Sequence, residues 1–323
     1  MRLPLFLKRS KKELYTIAFY NVENLFDTRQ DKTILDTDFI PTSDKKWDNI
    51  RYEQKLNKIA NAIASIGPED HNFPPIVIGL AEVENKTVLQ DLVATEALKD
   101  KGYHFVHYNS PDERGIDTAF LYRKNLVKIK DSKSHQLYLE TSEGNRDFTR
   151  DILEVSCTVL GEDITFLINH WPSRRDGWTS TASKRLEAAK QNTTIIEQSK
   201  SVNPNQHFVV MGDFNDDPKD ESVQYLENSA ALYNPMELLL TKKKGTTKHK
   251  GRWNLFDQIL ISHELLKFQK QKLNFKNAAI FDPDFLKQQK GRYKGTPYRT
   301  FGGRNYTGGY SDHFPVYIIL EKG

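Results

Sequence analysis

One stretch limits the possible folds more than any other: Val209–Asp217, VVMGDFNDD. An apolar run over 207–211 stops at Gly212, and Asp213, Asn215, Asp216 and Asp217 follow at once. A short run of this kind reads as a buried strand. Its carboxyl end then delivers a carboxylate and an amide into a cleft. A glycine at that place lets backbone approach backbone or ligand closely. Asp and Asn are also ordinary turn residues, so the stretch alone is read most simply as a strand followed by an acidic turn. The balance changes because other strands of the chain end in the same way.

Tyr15–Tyr20 is an apolar, β-rich strand that runs into Asn21-Val22-Glu23-Asn24. Ile76–Ala81 is a second, ending in Glu82-Val83-Glu84-Asn85, and Ile164–Asn169 a third, ending in His170-Trp171-Pro172-Ser173-Arg174-Arg175. Phe256–Ser262 opens with Asp257, and Phe314–Leu320 is preceded by Ser311-Asp312-His313. Further strands are expected over His104–Tyr108, Asp117–Arg123 and Asp151–Leu160, the last half-buried and antiparallel. Helices are expected over Arg51–Ile66, where Leu56, Ile59, Ala60 and Ile63 share one face, over Lys86–Lys101 and over Ala182–Gln198. Asp27–Trp47 reads as a long polar loop. Many short strands with helices between them imply a layered α/β fold rich in antiparallel pairs.

Length and composition narrow the class. The 323 residues suffice for one large core, and no repeat or low-complexity linker divides them. Residues 1–12 read as a basic, poorly ordered lead-in, and 13–323 as one domain. The formal net charge of +4 is mild, so an anion-binding surface must be local. The single cysteine, Cys157, excludes an internal disulfide and a cysteine-based zinc site and reads as a small core residue. No stretch is long enough for a membrane span. The expectation is a cytoplasmic monomer without membrane insertion, or a secreted or periplasmic one if an export signal has been removed.

The strand tips bring together Asn21, Glu82, His170, Asp213, Asn215, Asp257, Asp312 and His313. Each has a plainer reading as a cap, a surface charge or a packed core group. It is their coincidence at the tips of the main core strands that points to a site. Carboxylate and amide oxygens without thiols suit a hard cation, Mg²⁺ or Mn²⁺. Histidines suit proton transfer or charge stabilisation near neutral pH, and arginines suit phosphate. Together they describe metal-assisted attack of water on a phosphate ester. No His-Glu-x-x-His motif and no P-loop are present, and the absence of a Gly-x-Ser-x-Gly elbow argues against a serine hydrolase.

The series FYNVEN, GLAEVEN, INHWPSRR, MGDFND, FDQILIS and YSDHFPV, in this order, resembles the endonuclease/exonuclease/phosphatase superfamily over nearly the whole chain. That resemblance implies a DNase I-like, four-layer α/β/β/α sandwich with the site at one edge of two packed sheets. It implies Glu82 as the main metal ligand, with Asn21 near the metal or phosphate and Asp312 as a direct or supporting metal carboxylate. Asp213 would orient or deprotonate the attacking water, and Asn215 would hold it or a phosphate oxygen. His313 would contact the scissile phosphate with Asp257 fixing its ring. His170 would stabilise the transition state or protonate the leaving oxygen. Asp257 opens its strand and Glu82 follows the end of one, so the two share a sheet edge if those strands run antiparallel; strand alternation is expected to turn Glu84 away from the site.

Fold does not choose among nucleic-acid, small and lipid phosphate esters; local charge is the best guide, with a solvated loop as the plainer reading of the basic stretches. Lys242–Arg252 is dense in Lys and Arg without an acid, and Lys287–Arg304 carries six basic residues interleaved with Tyr293, Tyr298 and Phe301. Basic residues with aromatics beside a phosphoesterase site suit a nucleic-acid strand. Ser173, Arg174, Arg175, Arg299 and Arg304 are therefore candidate substrate contacts. The expectation is a metal-dependent endo- or exonuclease on DNA or RNA; the alternative is a phosphatase or phosphodiesterase on a small or lipid ester.

Overall fold

The computed structural model describes residues 13–68, 73–141, 143–175 and 177–322. The expected lead-in over 1–12 lies outside them. In chain order the layers are built from β1 (Glu13–Leu25), α1 (Asn49–Ser65), β2 (Val77–Val83), α2 (Lys86–Ala94), β3 (Tyr103–His107), β4 (Asp117–Arg123), β5 (Val127–His135), β6 (Ile152–Val159), β7 (Glu162–His170), α3 (Trp178–Val202), β8 (His207–Asp213), α4 (Glu221–Ser229), β9 (Leu232–Tyr233), β10 (Asp257–Ser262), β11 (Leu273–Ile280) and β12 (Val316–Lys322). One six-stranded sheet runs β11-β12-β1-β2-β4-β3 and the other β9-β10-β8-β7-β6-β5. Among the described strands only β1/β2 and β7/β8 pair parallel.

Alternation along β8 shows how the layers stack. Val209 and Met211 belong to the apolar cluster between the sheets, with Ile259, Ile261, Phe166 and Ile168. Phe208 and Val210 belong to a second cluster with Ala188, Ala189, Ile195 and Ile196 of α3 and Val223 and Leu226 of α4. A strand buried on both faces has no polar positions to spare, which is why the run looked uniformly apolar. Gly79 lets the sheets approach: a Cβ there would lie 2.7 Å from Sδ of Met211 on the facing sheet. The α1/α2 layer covers the outer face of the first sheet, with Leu56, Ile59, Ala60 and Ile63 buried. Asp48 caps α1 by accepting from the Arg51 amide, and Asn85 caps α2 by accepting from Val88. The result is the four-layer α/β/β/α sandwich.

Several boundaries differ from expectation. The second helix stops at Ala94 rather than Lys101, where Thr95 turns extended. β5, β11 and α4 were not anticipated. β5 is polar and half-exposed at a sheet edge, and β11 is likewise an edge strand with Asn and Lys in its middle. Neither carries the apolar signal of a core strand. β1 and β2 also continue past their expected ends, through shifted registers at Asn21/Leu25 and Ala81/Val83. Asp257 and Glu82 lie not on one sheet edge but on facing sheets, since β10 belongs to the second sheet and β2 to the first.

Candidate active site

The tips of four central strands meet at one end of the sandwich. β1 and β2 run side by side in the same direction, as do β7 and β8, so each pair delivers two tips to that end. In the second sheet His170, Asp213 and Asp257 stand in register on β7, β8 and β10. Gly212 is required for this row, because a Cβ there would lie 2.4 Å from the Asn169 carbonyl oxygen.

Backbone strain aims the remaining groups. Glu23, Asn24, Glu82 and Asn215 all have φ between 51° and 66°. Asn tolerates this region, but glutamate does so rarely, and each such residue costs about 1–3 kcal/mol. At Glu82 the twist coincides with the bulge of β2 and turns the carboxylate toward the facing sheet. Its Oε2 accepts from the Asn24 amide at 2.8 Å, and its Oε1 lies 3.8 Å from His170 Nε2.

Asp213 is the centre of the constellation. Its Oδ2 accepts from Asn21 Nδ2 at 2.9 Å and lies 3.8 Å from His170 Nε2 and 3.9 Å from His313 Nε2. Its Oδ1 accepts from the Asn215 amide at 2.9 Å. Burial pushes its pKa up to about 6, against the pull of His313. His313 Nδ1 is 2.6 Å from Asp257 Oδ2. Burial disfavours the charged ring, but Asp257 and Asp213 outweigh it and hold the pKa well above the usual histidine value. His170 goes the other way. Burial, then the charges of Arg150 and Arg114, push its pKa well below the usual value. Its Nδ1 has no hydrogen-bond partner among the described residues, so no acidic side chain among them orients the ring from that nitrogen. Asp312 Oδ2 pairs with Arg299 Nη2 at 2.6 Å. Burial disfavours its charge, but His313 and Arg299 prevail and its pKa falls below the usual carboxylate value.

Seven of the eight tip residues thus form a chain of contacts no longer than 3.9 Å, and Asn215 joins it through its backbone. The side chain of Asn215 donates to the Trp171 carbonyl at 3.0 Å. The Asn21 oxygen accepts from the Glu23 amide, which leaves it a second lone pair, and its nitrogen faces Asp213 and Glu82. The other candidates divide. Arg299 adjoins the site through Asp312. Arg174 is committed to Asp216 at 2.6 Å, to Asp220 and to the Asn215 carbonyl. Ser173 is half-buried and Arg175 exposed. Arg304 is 88% exposed and 3.7 Å from Asp44. Glu84 turns away, accepting from the Asp27 amide.

Sequence reasoning missed four residues. Arg150 is buried, bonded to Asp112 and the Trp171 carbonyl, and Arg114 also pairs with Asp112. Only the β6/β7 register would have brought Arg150 to His170. Lys55, deep on α1, donates to Thr300 Oγ1 and the Tyr310 carbonyl, and the buried Glu23 accepts from the Thr300 amide. Burial brings the Lys55 pKa down to about 8 and the Glu23 pKa up to about 7. The two hold the segment that carries Arg299, and no local pattern in the sequence signals it.

The profile of the endonuclease/exonuclease/phosphatase family matches residues 16–322. The chain belongs to this family. Solved structures agree on the fold. An endonuclease/exonuclease/phosphatase family protein from Bacteroides thetaiotaomicron aligns at TM-score 0.59 and 17% identity, over 97% of this chain and 96% of that one. A humanized D. rerio TDP2 aligns at 0.57 and 17%, over 95% and 98%. A mannosyl-6-phosphatase from B. thetaiotaomicron aligns at 0.56 and 18%, over 95% and 99%. No curated protein gives a significant sequence match. As a family member the protein is a metal-dependent phosphoesterase. No helix among the described residues is long and apolar enough to cross a membrane.

Donor chemistry fits a divalent cation. Carboxylates outnumber cations at the strand tips, all are hard oxygen donors, and the only cysteine is buried elsewhere. Asp213, Asp257 and His313 bring ligand atoms within 4.8 Å of one another. The His313 ring, however, is bonded to Asp257 and held protonated, and an imidazolium is no ligand. Glu82 is the better anchor.

Proposed function

We propose that the protein is a nuclease: a metal-dependent phosphodiesterase that hydrolyses nucleic-acid strands by activated water. One observation carries the choice of substrate. A cleft of about 810 Å³ adjoins Asp312, and Lys248, Lys250, Arg292, Tyr293 and Arg299 line it. The two basic stretches of the sequence converge there. Charge for a phosphate backbone and an exposed ring for a base suit a strand. A TDP2 structure of the same fold is described as complexed with a single-strand DNA product, which supports the reading; the mannosyl-6-phosphatase of the same fold keeps the small-ester alternative in view.

In this reading Glu82 would hold the cation, with Asp312 as the second carboxylate. The bound ion supplies Lewis acidity to a phosphoryl oxygen and a more acidic water. Asp213 Oδ2 takes the proton of the attacking water, and a pKa of about 6 suits a base near neutrality. The Asn215 side-chain oxygen accepts the water's other hydrogen and fixes its approach. His313 Nε2–H donates to a non-bridging phosphoryl oxygen. Asp257 holds Nδ1–H, so the charge and the orientation of the ring persist through the reaction. His170 stays neutral and donates from Nε2 toward the leaving oxygen. Water's oxygen bonds to phosphorus as the ester bond breaks, and the leaving oxygen takes its proton from solvent. Arg299 and the cleft hold the flanking phosphates.

Labelled single- and double-stranded DNA, RNA and phosphomonoesters, each with and without Mg²⁺ or Mn²⁺, test this directly. Strand cleavage that needs metal and falls by about 10³-fold or more in Asp213→Ala and His313→Ala is expected. Release of inorganic phosphate from monoesters with every strand left intact would assign the alternative substrate instead.

A further inference from the structure

A second surface lies at the same edge of the second sheet, on the opposite side of the site from the basic cleft. The topology fixes its place. Asp257, Asp213 and His170 stand on β10, β8 and β7, and β6 and β5 continue the row. β6 runs against β7 with Leu153 opposite Ile168. The residues just before β6 therefore reach the His170 end. β5 runs against β6 with His135 opposite Ile152, so the residues just after β5 reach it too. With neighbouring strands about 4.8 Å apart, the start of β6 lies roughly 10 Å from Asp213 along the edge, and the hairpin just before it carries the surface.

Three residues form it: Tyr138, Arg146 and Phe148. The Arg146 guanidinium lies 4.0 Å from the centre of the Tyr138 ring and 5.5 Å from that of Phe148. Tyr138 is 65% exposed and Phe148 46%. The base beneath them is fixed. Leu137 and Leu139 are buried in the cluster that contains Ile152 and Trp171. Leu139 pairs with Asp147 in a short hairpin, Asp147 pairs with Lys184 of α3 at 2.6 Å, and Arg146 also donates to the Leu137 carbonyl. Two residues beyond Phe148, Arg150 donates to the carbonyl of Trp171, the neighbour of His170.

Exposed rings scattered singly are ordinary. Two rings about one guanidinium, on an anchored hairpin at the reacting edge, present flat π-faces and a positive charge to solvent. That is the chemistry of base stacking with cation–π support. We propose that Tyr138, Arg146 and Phe148 form a stacking platform for the bases of a single strand on the leaving-group side of the scissile phosphate. The inference rests on the nuclease reading and extends it: the strand crosses the edge from the basic cleft, over the site, to the platform. Paired bases have no free faces, so the platform favours single strands over duplex.

The test uses the full chain with Tyr138→Ala and Phe148→Ala, both at exposed rings, and Arg146→Gln at the half-buried guanidinium between them. Binding of a short fluorescent single-stranded DNA is measured in EDTA, and cleavage of the same strand and of bis(p-nitrophenyl) phosphate in Mg²⁺. Each ring variant is expected to weaken strand binding and kcat/KM on the strand by about 10-fold, with the small diester turned over within about twofold of wild type. Placing an abasic nucleotide beside the scissile bond should erase the difference between wild type and variant. Equal strand binding by wild type and both ring variants, or no binding by wild type, overturns the platform. Strand binding that the ring variants weaken, without any strand cleavage, upholds the platform and overturns the nuclease reading alone.

Discussion

His170 and His313 face the same oxygen from two sides, at 3.8 and 3.9 Å from Asp213 Oδ2, yet they are held in opposite protonation states. His313 leans on Asp257 and carries a proton on each nitrogen; His170 sits near two arginines, with one nitrogen unpartnered among the described residues, and stays neutral. Both are buried. Burial alone would neutralise both, so the neighbours decide. The lesson is that residue type names a capability, and the charges packed behind it choose the use. A permanent cation suits charge building on a phosphoryl oxygen. A neutral imidazole suits a hydrogen bond that leaves the adjacent carboxylates free to hold a metal.

The sharpest way to break this contrast is Asp257→Asn. The substitution keeps shape and removes the charge that holds His313 protonated. The proton on His313 should then be lost near neutral pH, and kcat should fall by about 10²–10³-fold. The pH profile carries the signature. The alkaline limb of kcat, set by loss of the His313 proton, should move to lower pH in the variant. An acid limb, set by protonation of Asp213, whose pKa burial raises to about 6, should also be visible in kcat/KM. An unchanged alkaline limb would show that Asp257 does not govern the charge of His313.

A smaller effect separates the two rings by stability rather than rate. The folded pKa of His313 lies above its unfolded value, so its contribution is complete below about pH 6.5 and is lost as pH rises toward the folded pKa. The folded pKa of His170 lies below its unfolded value, so the folded state loses stability as pH falls below about 6.5. Urea unfolding of the metal-free protein should therefore show opposite slopes removed by the two glutamine variants. His313→Gln should flatten the decline toward high pH, and His170→Gln the decline toward low pH. Each unit of pKa difference is worth about 1.4 kcal/mol. Parallel changes in the two variants would refute the contrast.

How far the sequence showed all this depends on where the information lies. The core strands and every tip residue were legible, because a strand buried on both faces announces itself and stops abruptly at a polar group. The edge strands were not, because β5 and β11 carry polar residues where one face meets water. Within the stretch 213–217, two of the three aspartates serve the fold. Asp216 binds the buried Arg185 at 2.8 Å together with Arg174, and Asp217 accepts from the Leu255 amide. Composition cannot separate such a carboxylate from Asp213. The difference lies in which sheet face and which register each occupies, and those depend on strands far away in sequence. The state of His170 was hidden for the same reason: Arg150 lies 20 residues from it along the chain and meets its neighbour only through the pairing of β6 with β7.

The smallest effect concerns Arg114, and it tests how that hidden environment is shared. Asp112 pairs with both Arg150 and Arg114, so one carboxylate faces two guanidiniums and one positive charge is left over beside His170. Removing Arg150 would leave Asp112 short of its closest partner in a buried place, and damage to the fold would obscure the result. Arg114 can be removed more cleanly, since its side chain is 32% exposed and 3.7 Å from Asp112. Solvent also screens it, so its hold on the ring is the weaker of the two. In Arg114→Gln the His170 titration, followed by NMR of the ring carbon protons, should move upward but stay below the ordinary histidine value. Activity should change by only about threefold, within the range of a partly exposed charge. If the ring instead rises to ordinary histidine behaviour, the exposed arginine and not the buried one keeps His170 neutral, and the contrast between the two histidines rests on a group that substrate phosphate could reach and neutralise.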